Sequence, residues 1–197
     1  GNTSNWDVSK VKEAHHMFAE CQKLQTLETS NWAFTSLING GCMFYHCYAL
    51  SKIDVSSFGM GNCTDIEYMF DNCYALTSLN VSNWDVSKVT GMNATFSTCK
   101  NLTSLDVSKW QTSSLKQAVN MFMSDAKLTQ VAVQNWDMSS VEDLGGMFAY
   151  CSSITSMDVS NWYMPNCKHF INVFNGLTNC KTLKIKGMYA PNATSWG

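Results

Sequence analysis

Carboxylates recur in one register of this chain, at Glu28, Asp54, Asp106 and Asp158, each separated from the last by 26 residues or twice that, with Asn80, Ala132 and Lys184 in the remaining places. A ladder of acids suggests Ca²⁺. Calcium takes oxygen ligands at about 2.3–2.6 Å, whereas acids two repeats apart stand about 10 Å from each other at the spacing of paired strands. Glu28 and Asp54 alone are neighbours, so a solvated polar face is the default reading. Asp54, Asp106 and Asp158 remain candidates for contacting a partner, and neither a metal nor another cofactor is expected.

A second group is aromatic. Tyr45, His46, Tyr48, Tyr68 and Tyr74 fall outside the apolar registers of the chain, and Tyr150 stands in the register of His46. Tyrosine offers large contact area at low entropic cost, which makes clustered Tyr a plausible interface centre. The competing reading is structural: CYAL occurs at 47–50 and again at 73–76, so Tyr48 and Tyr74 can simply stack on each other.

Cysteine is the third candidate chemistry. Five of the nine, Cys21, Cys47, Cys73, Cys99 and Cys151, share one register that Asp125 interrupts. Stacked repeats bring such positions within disulfide reach, yet a column of equivalents has no preferred partner, and free Cys is among the most buried residue types. Buried thiols are the first expectation and some disulfides the second. Thiol titration of the unfolded, unreduced protein separates them. Zinc is not expected, because there is no C-x-x-C pair and His15, His16, His46 and His169 converge on no ligand set. There is also no G-x-S-x-G, H-E-x-x-H, phosphate loop or dinucleotide fingerprint, so the chain is not expected to be an enzyme.

These residues are positioned by an internal repeat. Trp6, Trp32, Trp84, Trp110, Trp136 and Trp162 recur at 26 residues or a multiple of it, and Phe58 fills the vacant register. A period of this length is the signature of a solenoid. In the unit LTSLNVSNWDVSKVTGMNATFSTC, Leu76, Leu79, Val81, Trp84 and Val86 follow leucine-rich-repeat spacing and predict a short strand and a turn. Val89, Met92, Phe96 and Cys99 follow at steps of three, four and three, which lie on one helical face. The expected fold is α/β, a leucine-rich-repeat solenoid of about seven strand-plus-short-helix repeats with a parallel sheet. Ser9, Ser87, Ser113 and Ser139 read as helix N-caps, Pro165 suits a helical first turn, and Gly40 and Gly41 predict an irregular helix or a close backbone approach. Phenylalanine fills one column without exception from Phe18 to Phe174, and Met runs beside it until Thr95 and Val173 break the series. These columns read as core.

One domain over 1–197 is expected, with the array at about 5–183 and a closing segment at 184–197. Opening within a repeat, without a polar cap, the chain reads as a fragment of a longer protein. A net charge of −2 and 14% charged residues give no electrostatic footprint for nucleic acid or an anionic membrane. No apolar run approaches the roughly 18 residues needed to span a bilayer, and no secretory signal pattern opens the chain. The N-x-S/T sequons at Asn2, Asn62, Asn80, Asn93, Asn101 and Asn192 use residues that are also ordinary turn residues of the repeat.

The phrases LTSLNVSNWDVSKVTGM, LTSLDVSKW and ITSMDVSNW, with MFAEC, MFYHC, MFDNC and MFAYC, resemble the BspA-like leucine-rich repeat of microbial surface proteins and lipoproteins. The resemblance covers almost the whole chain. It implies an extracellular or cell-surface location and adhesion to a protein or glycan on a host or neighbouring cell. It transfers no binding residue, because the shared motif is core. The alternative is a structural module of a surface fibre or phage virion appendage, with self-association through uncapped repeat ends.

Overall fold

The computed structural model describes Thr3 and residues 5–196; the sequon at Asn2 lies outside them. The chain winds into stacked coils, one per 26-residue repeat, joined by parallel pairing. Regular strands are short: β1 (Thr26–Leu27) pairs β2 (Lys52–Ile53), β3 (Ser156–Asp158) pairs β5 (Thr182–Lys184), and β4 (His169–Phe170) pairs β6 (Ser195–Trp196). Each pair joins residues in the same repeat register. A second ladder of single bridges runs Glu13, Asn39, Asp65, Gly91, Gln117, Asp143 and His169, and ends in the β4–β6 pair.

The expected strand-plus-helix α/β unit is overturned: the described residues contain no helix. In the second half of each coil the backbone forms overlapping turns instead. In the third coil the N–H groups of Tyr68, Phe70 and Asn72 donate to the carbonyls of Asn93, Thr95 and Ser97 on the next coil, at 2.8 Å each. The intervening N–H groups of Met69, Asp71 and Cys73 donate three residues back, to Ile66, Tyr68 and Phe70. Every donor of this stretch is therefore used, half within the coil and half between coils. Tyr68 and Asn72 have positive φ, 56° and 60°, at the third position of turns, as a type II turn requires. The same two registers are left-handed from His16 and Glu20 through Gly146 and Tyr150.

Sterics explain the preference for turns. A helix with side chains is about 10–12 Å across, twice the spacing of paired strands, so helices could not stack at the coil spacing. Turns can, and Phe rings on this side lie 5.2 Å apart from Phe44 to Phe70 and 5.4 Å apart from Phe122 to Phe148. Turns also bring residues at steps of three and four to one side, so the spacing that suggested a helix is satisfied without one.

The serines expected as caps have a different role. Asp7, Asp85 and Asp137 each accept the N–H of the serine two residues on, Ser9, Ser87 and Ser139, which makes the aspartates the turn formers. Pro165 sits in the turn of the last full repeat, where its carbonyl accepts a bond from Asn192. Gly41 lies where an added Cβ would stand 3.3 Å from the Glu67 carbonyl oxygen, so close approach of the next coil is the part of that expectation the geometry meets.

One continuous core fills the coils. The register from Leu27 to Met157 and the register from Leu50 to Ile154 are buried throughout. Aromatic rings stack from Trp6 through Trp32, Phe58, Trp84 and Trp110 to Trp136, with centroids 5.6–6.4 Å apart. Offset aromatic pairs are worth about 0.5–1.5 kcal/mol each beyond burial. Trp84, Trp110, Trp136 and Trp162 also donate their ring N–H to Val55, Val81, Val107 and Val133 on the preceding coil. These four indoles thus bolt two coils together through both packing and a hydrogen bond.

All nine cysteines are free thiols. Cys47, Cys73, Cys99 and Cys151 donate to the carbonyls of Phe18, Phe44, Phe70 and Phe122. Burial pushes the Cys47 thiol up to about 12 and those of Cys63 and Cys167 up to about 11, so these groups stay protonated and unreactive at neutral pH. Asp125 stands in their column fully buried, with one oxygen accepting the Cys99 N–H at 2.8 Å and the other without a partner.

Candidate functional site

On the outer surface of the second and third coils the aromatic residues converge. Tyr45 and His46 stack with centroids 3.7 Å apart, Tyr68 meets Tyr45 edge-on at 6.3 Å, and Tyr48 stacks on Tyr74 at 4.9 Å. His46 and Tyr48 connect the two pairs, with the Tyr48 hydroxyl 3.1 Å from His46 Nδ1. The structural reading holds for Tyr48 and Tyr74, which stack on each other inside a larger cluster. Tyr68 is 39% exposed and the other four are half-buried.

Acids border the cluster. Glu20 lies 3.0 Å from His46 Nδ1, and Asp71 lies 4.0 Å from Nε2. Burial raises the hydroxyl pKa of Tyr45, Tyr48 and Tyr68, and carboxylates raise it further: Asp71 and Glu20 at Tyr45, Glu20 and Asp71 at Tyr48, Glu67 and Asp71 at Tyr68. Burial likewise raises the Cys42 thiol, with Asp65, Asp71 and Glu67 adding to it. The Asp71 and Glu67 carboxyls are themselves raised above the usual range, chiefly by burial. At the opposite end, the Lys100 ammonium lies 4.5 Å above the Tyr74 ring.

The acids of the strand face are engaged locally. Asp54, Asp106 and Asp158 each accept both the N–H and the hydroxyl of a serine two residues on, Ser56, Ser108 and Ser160. These hydroxyl bonds, followed by the backbone bonds, lower the three carboxyl pKa values. Asp158 also pairs with Lys184 at 3.3 Å. The residues stay in separate coils, and among the described residues no group of three or more His, Cys, Asp or Glu could hold a metal. Where Ala132 replaces the acid, a depression of about 510 Å³ opens between Asp106 and Asp158, flanked by Gln130, Gln134 and Lys184.

A family profile described as "Mycoplasma protein of unknown function, DUF285" matches residues 1–79 and 64–186. The chain belongs to that family. No curated protein matches it. Among solved structures it is similar to a leucine-rich repeat protein from Bacteroides ovatus ATCC 8483, at 18% identity and a TM-score of 0.57, over 95% of this chain and 43% of that one. That likeness shows a leucine-rich-repeat fold, and this member of the DUF285 family spans less than half the length of that neighbour.

For this family member, reading the sequence alone located the five aromatic residues but missed Glu20, Asp71, Glu67 and Lys100, which complete the surface. Their registers carry the signal. Glu20 precedes His46 by one repeat, Asp71 follows Tyr45 by one, and Lys100 follows Tyr74 by one. Neighbours on the surface are residues one coil apart, at nearly the same register.

Proposed function

We propose that this chain is a non-catalytic binding module of a microbial surface protein, presenting the Tyr45–His46–Tyr48–Tyr68–Tyr74 cluster to a protein or glycan on a host or neighbouring cell. The observation that carries the reading is this cluster. The core registers repeat almost unchanged, while here aromatic rings stack on the outside, where they are not needed to close the core. Aromatic residues are over-represented in the energetic centres of interfaces. The BspA-like phrases of the repeat support placing the module outside the cell. No helix among the described residues is long and apolar enough to cross a membrane.

The test is binding to a panel of host matrix and epithelial proteins and glycans, compared between the unaltered chain and the variants Tyr48→Ala and Asp106→Ala. Loss in Tyr48→Ala alone assigns the aromatic surface, whereas loss in Asp106→Ala alone moves the site to the strand face. A partner indifferent to both removes the proposal.

A second reading is a structural module of a surface fibre or virion appendage. It is favoured by the parallel pairing that joins each coil to the next in register, a pattern that further coils of the same kind continue. Sedimentation over a range of concentrations checks it: end-to-end association supports this reading, and a monomer throughout opposes it.

A further inference from the structure

We infer that the corner formed by Tyr45 and Tyr68 receives a cationic side chain, arginine or lysine, from an extended segment of a partner protein. This rests on the reading of the aromatic cluster as an interface and adds the chemistry of what it binds.

The two rings stand nearly perpendicular, 83° apart, so they line two sides of a corner, as aromatic groups do around a cation. The carboxylates that raise these hydroxyls and the Cys42 thiol are Glu20, Asp65, Glu67 and Asp71; His46 pairs with Glu20 and Asp71, which leaves Asp65 and Glu67 beside Tyr68. The cluster already holds one cation on a ring, Lys100 over Tyr74, at the end away from these acids. His46 lies against Tyr45 between Glu20 and Asp71, which fixes that ring in place. The Tyr68 ring, the most exposed of the five, has no such covering cation.

Charge complementarity therefore favours a basic guest, and the surface beside the corner extends the match. Gly91 leaves out a side chain in the bridge ladder, and the Glu67 side chain lies across the gap: a Cβ at Gly91 would stand 2.7 Å from Glu67 Oε1. The resulting depression, about 440 Å³, is bordered by Asp65, Glu67 and Glu142. Lys116 stands in the register between Thr90 and Glu142, so the acidic path from the corner ends at Asp65 and Glu67. Glu67 belongs to both features, so a segment with its cation in the corner can continue along the depression. Left-handed backbone at Cys42, His46 and Tyr68 belongs to the repeat itself, since the same registers are left-handed in coils that carry no aromatic cluster.

The experiment uses four synthetic octapeptides in which glycine alternates with arginine, lysine, glutamate or serine. Binding to the full chain is followed by NMR shifts of the tyrosine rings and by calorimetry, at low and physiological salt. The arginine and lysine peptides are expected to bind and to shift Tyr45 and Tyr68, while the glutamate and serine peptides do not. Tyr68→Ala is expected to weaken the arginine peptide at least about fivefold, the range of a partly desolvated cation–π contact. Glu67→Gln, which keeps the side-chain shape, is expected to weaken it about two- to fivefold and to reduce its salt dependence. Absence of binding by both basic peptides, equal binding by the serine peptide, or unchanged affinity in both variants overturns the inference. If Tyr48→Ala and Tyr68→Ala abolish binding of a surface partner while the basic peptides fail, the interface stands and its cationic preference falls.

Discussion

Two registers of the same half-coil, five residues apart, behave in opposite ways. One holds Cys21, Cys47, Cys73, Cys99, Asp125 and Cys151; the other holds His16, Cys42, Tyr68, Ala94, Asn120, Gly146 and Asn172. Both lie on one repeating backbone of turns and inter-coil hydrogen bonds. Buried from Cys47 to Cys151, the first tolerates almost one residue type, because a thiol is small enough for the core and can donate to the Phe carbonyl of the preceding coil. The second tolerates a wider range, exposed at His16, Tyr68 and Asn172 and small where it is covered, at Ala94 and Gly146, while its left-handed φ is held by the ladder. Asp125 is the exception in the first column and carries an unpartnered buried oxygen; Tyr68 is no exception in the second. Binding chemistry can accumulate outside for the same reason that it cannot inside.

The largest test of this contrast is the core itself. Phe122→Ala, in the stacked ladder beside Asp125, is expected to cost about 3–5 kcal/mol, whereas Tyr68→Ala should change stability by no more than about 0.5 kcal/mol, both measured by urea unfolding. Equal losses would erase the distinction between the registers.

A smaller effect is expected from Asp125→Cys, which restores the register. Leaving a buried polar atom unpaired costs about 1–3 kcal/mol, so a gain of that order at neutral pH is predicted, and a loss would mean that Asp125 is held by something other than its Cys99 contact. In contrast, Thr95 is also buried in a core register yet donates to the carbonyls of Ile66 and Met92, so Thr95→Val should bring no comparable gain.

The pH dependence of Asp125 gives a third test. Burial raises its folded carboxyl pKa well above the ordinary 3.8, so the folded state holds this proton more tightly than the unfolded chain does. Its contribution is therefore fully present below the unfolded value and is lost as pH rises from there toward the folded one. Unfolding midpoints should fall over this range, and Asp125→Asn should flatten the slope. An unchanged slope would show that Asp125 is not the group responsible.

The smallest expected effect lies on the strand face. Ser108→Ala removes the hydroxyl bond that is the largest influence on Asp106, so the carboxyl should titrate closer to the ordinary value by NMR while stability hardly moves. A stability loss comparable to that of a core variant would make this face structural.

Much of the molecule is legible in the spacing. The registers of Trp84, Phe96 and Leu79 predict burial, and all three are buried. The five aromatic residues are legible as a group because Tyr and His interrupt registers that are otherwise small or polar. Their acidic border is not, since Glu20, Asp71 and Glu67 look like ordinary surface residues until coils are laid side by side. The helix expected from Val89 to Cys99 fails for a related reason. Steps of three and four say which side chains face inward, and both a helix and a run of turns satisfy them.

What the sequence by itself determined is the repeat length and the division of residues between inside and outside, because burial of apolar side chains depends on their periodicity along the chain. Only the tertiary structure decided the path of the backbone. The N–H groups of Tyr68, Phe70 and Asn72 find their acceptors on the neighbouring coil, and a donor whose partner lies one repeat away leaves no trace in the local sequence.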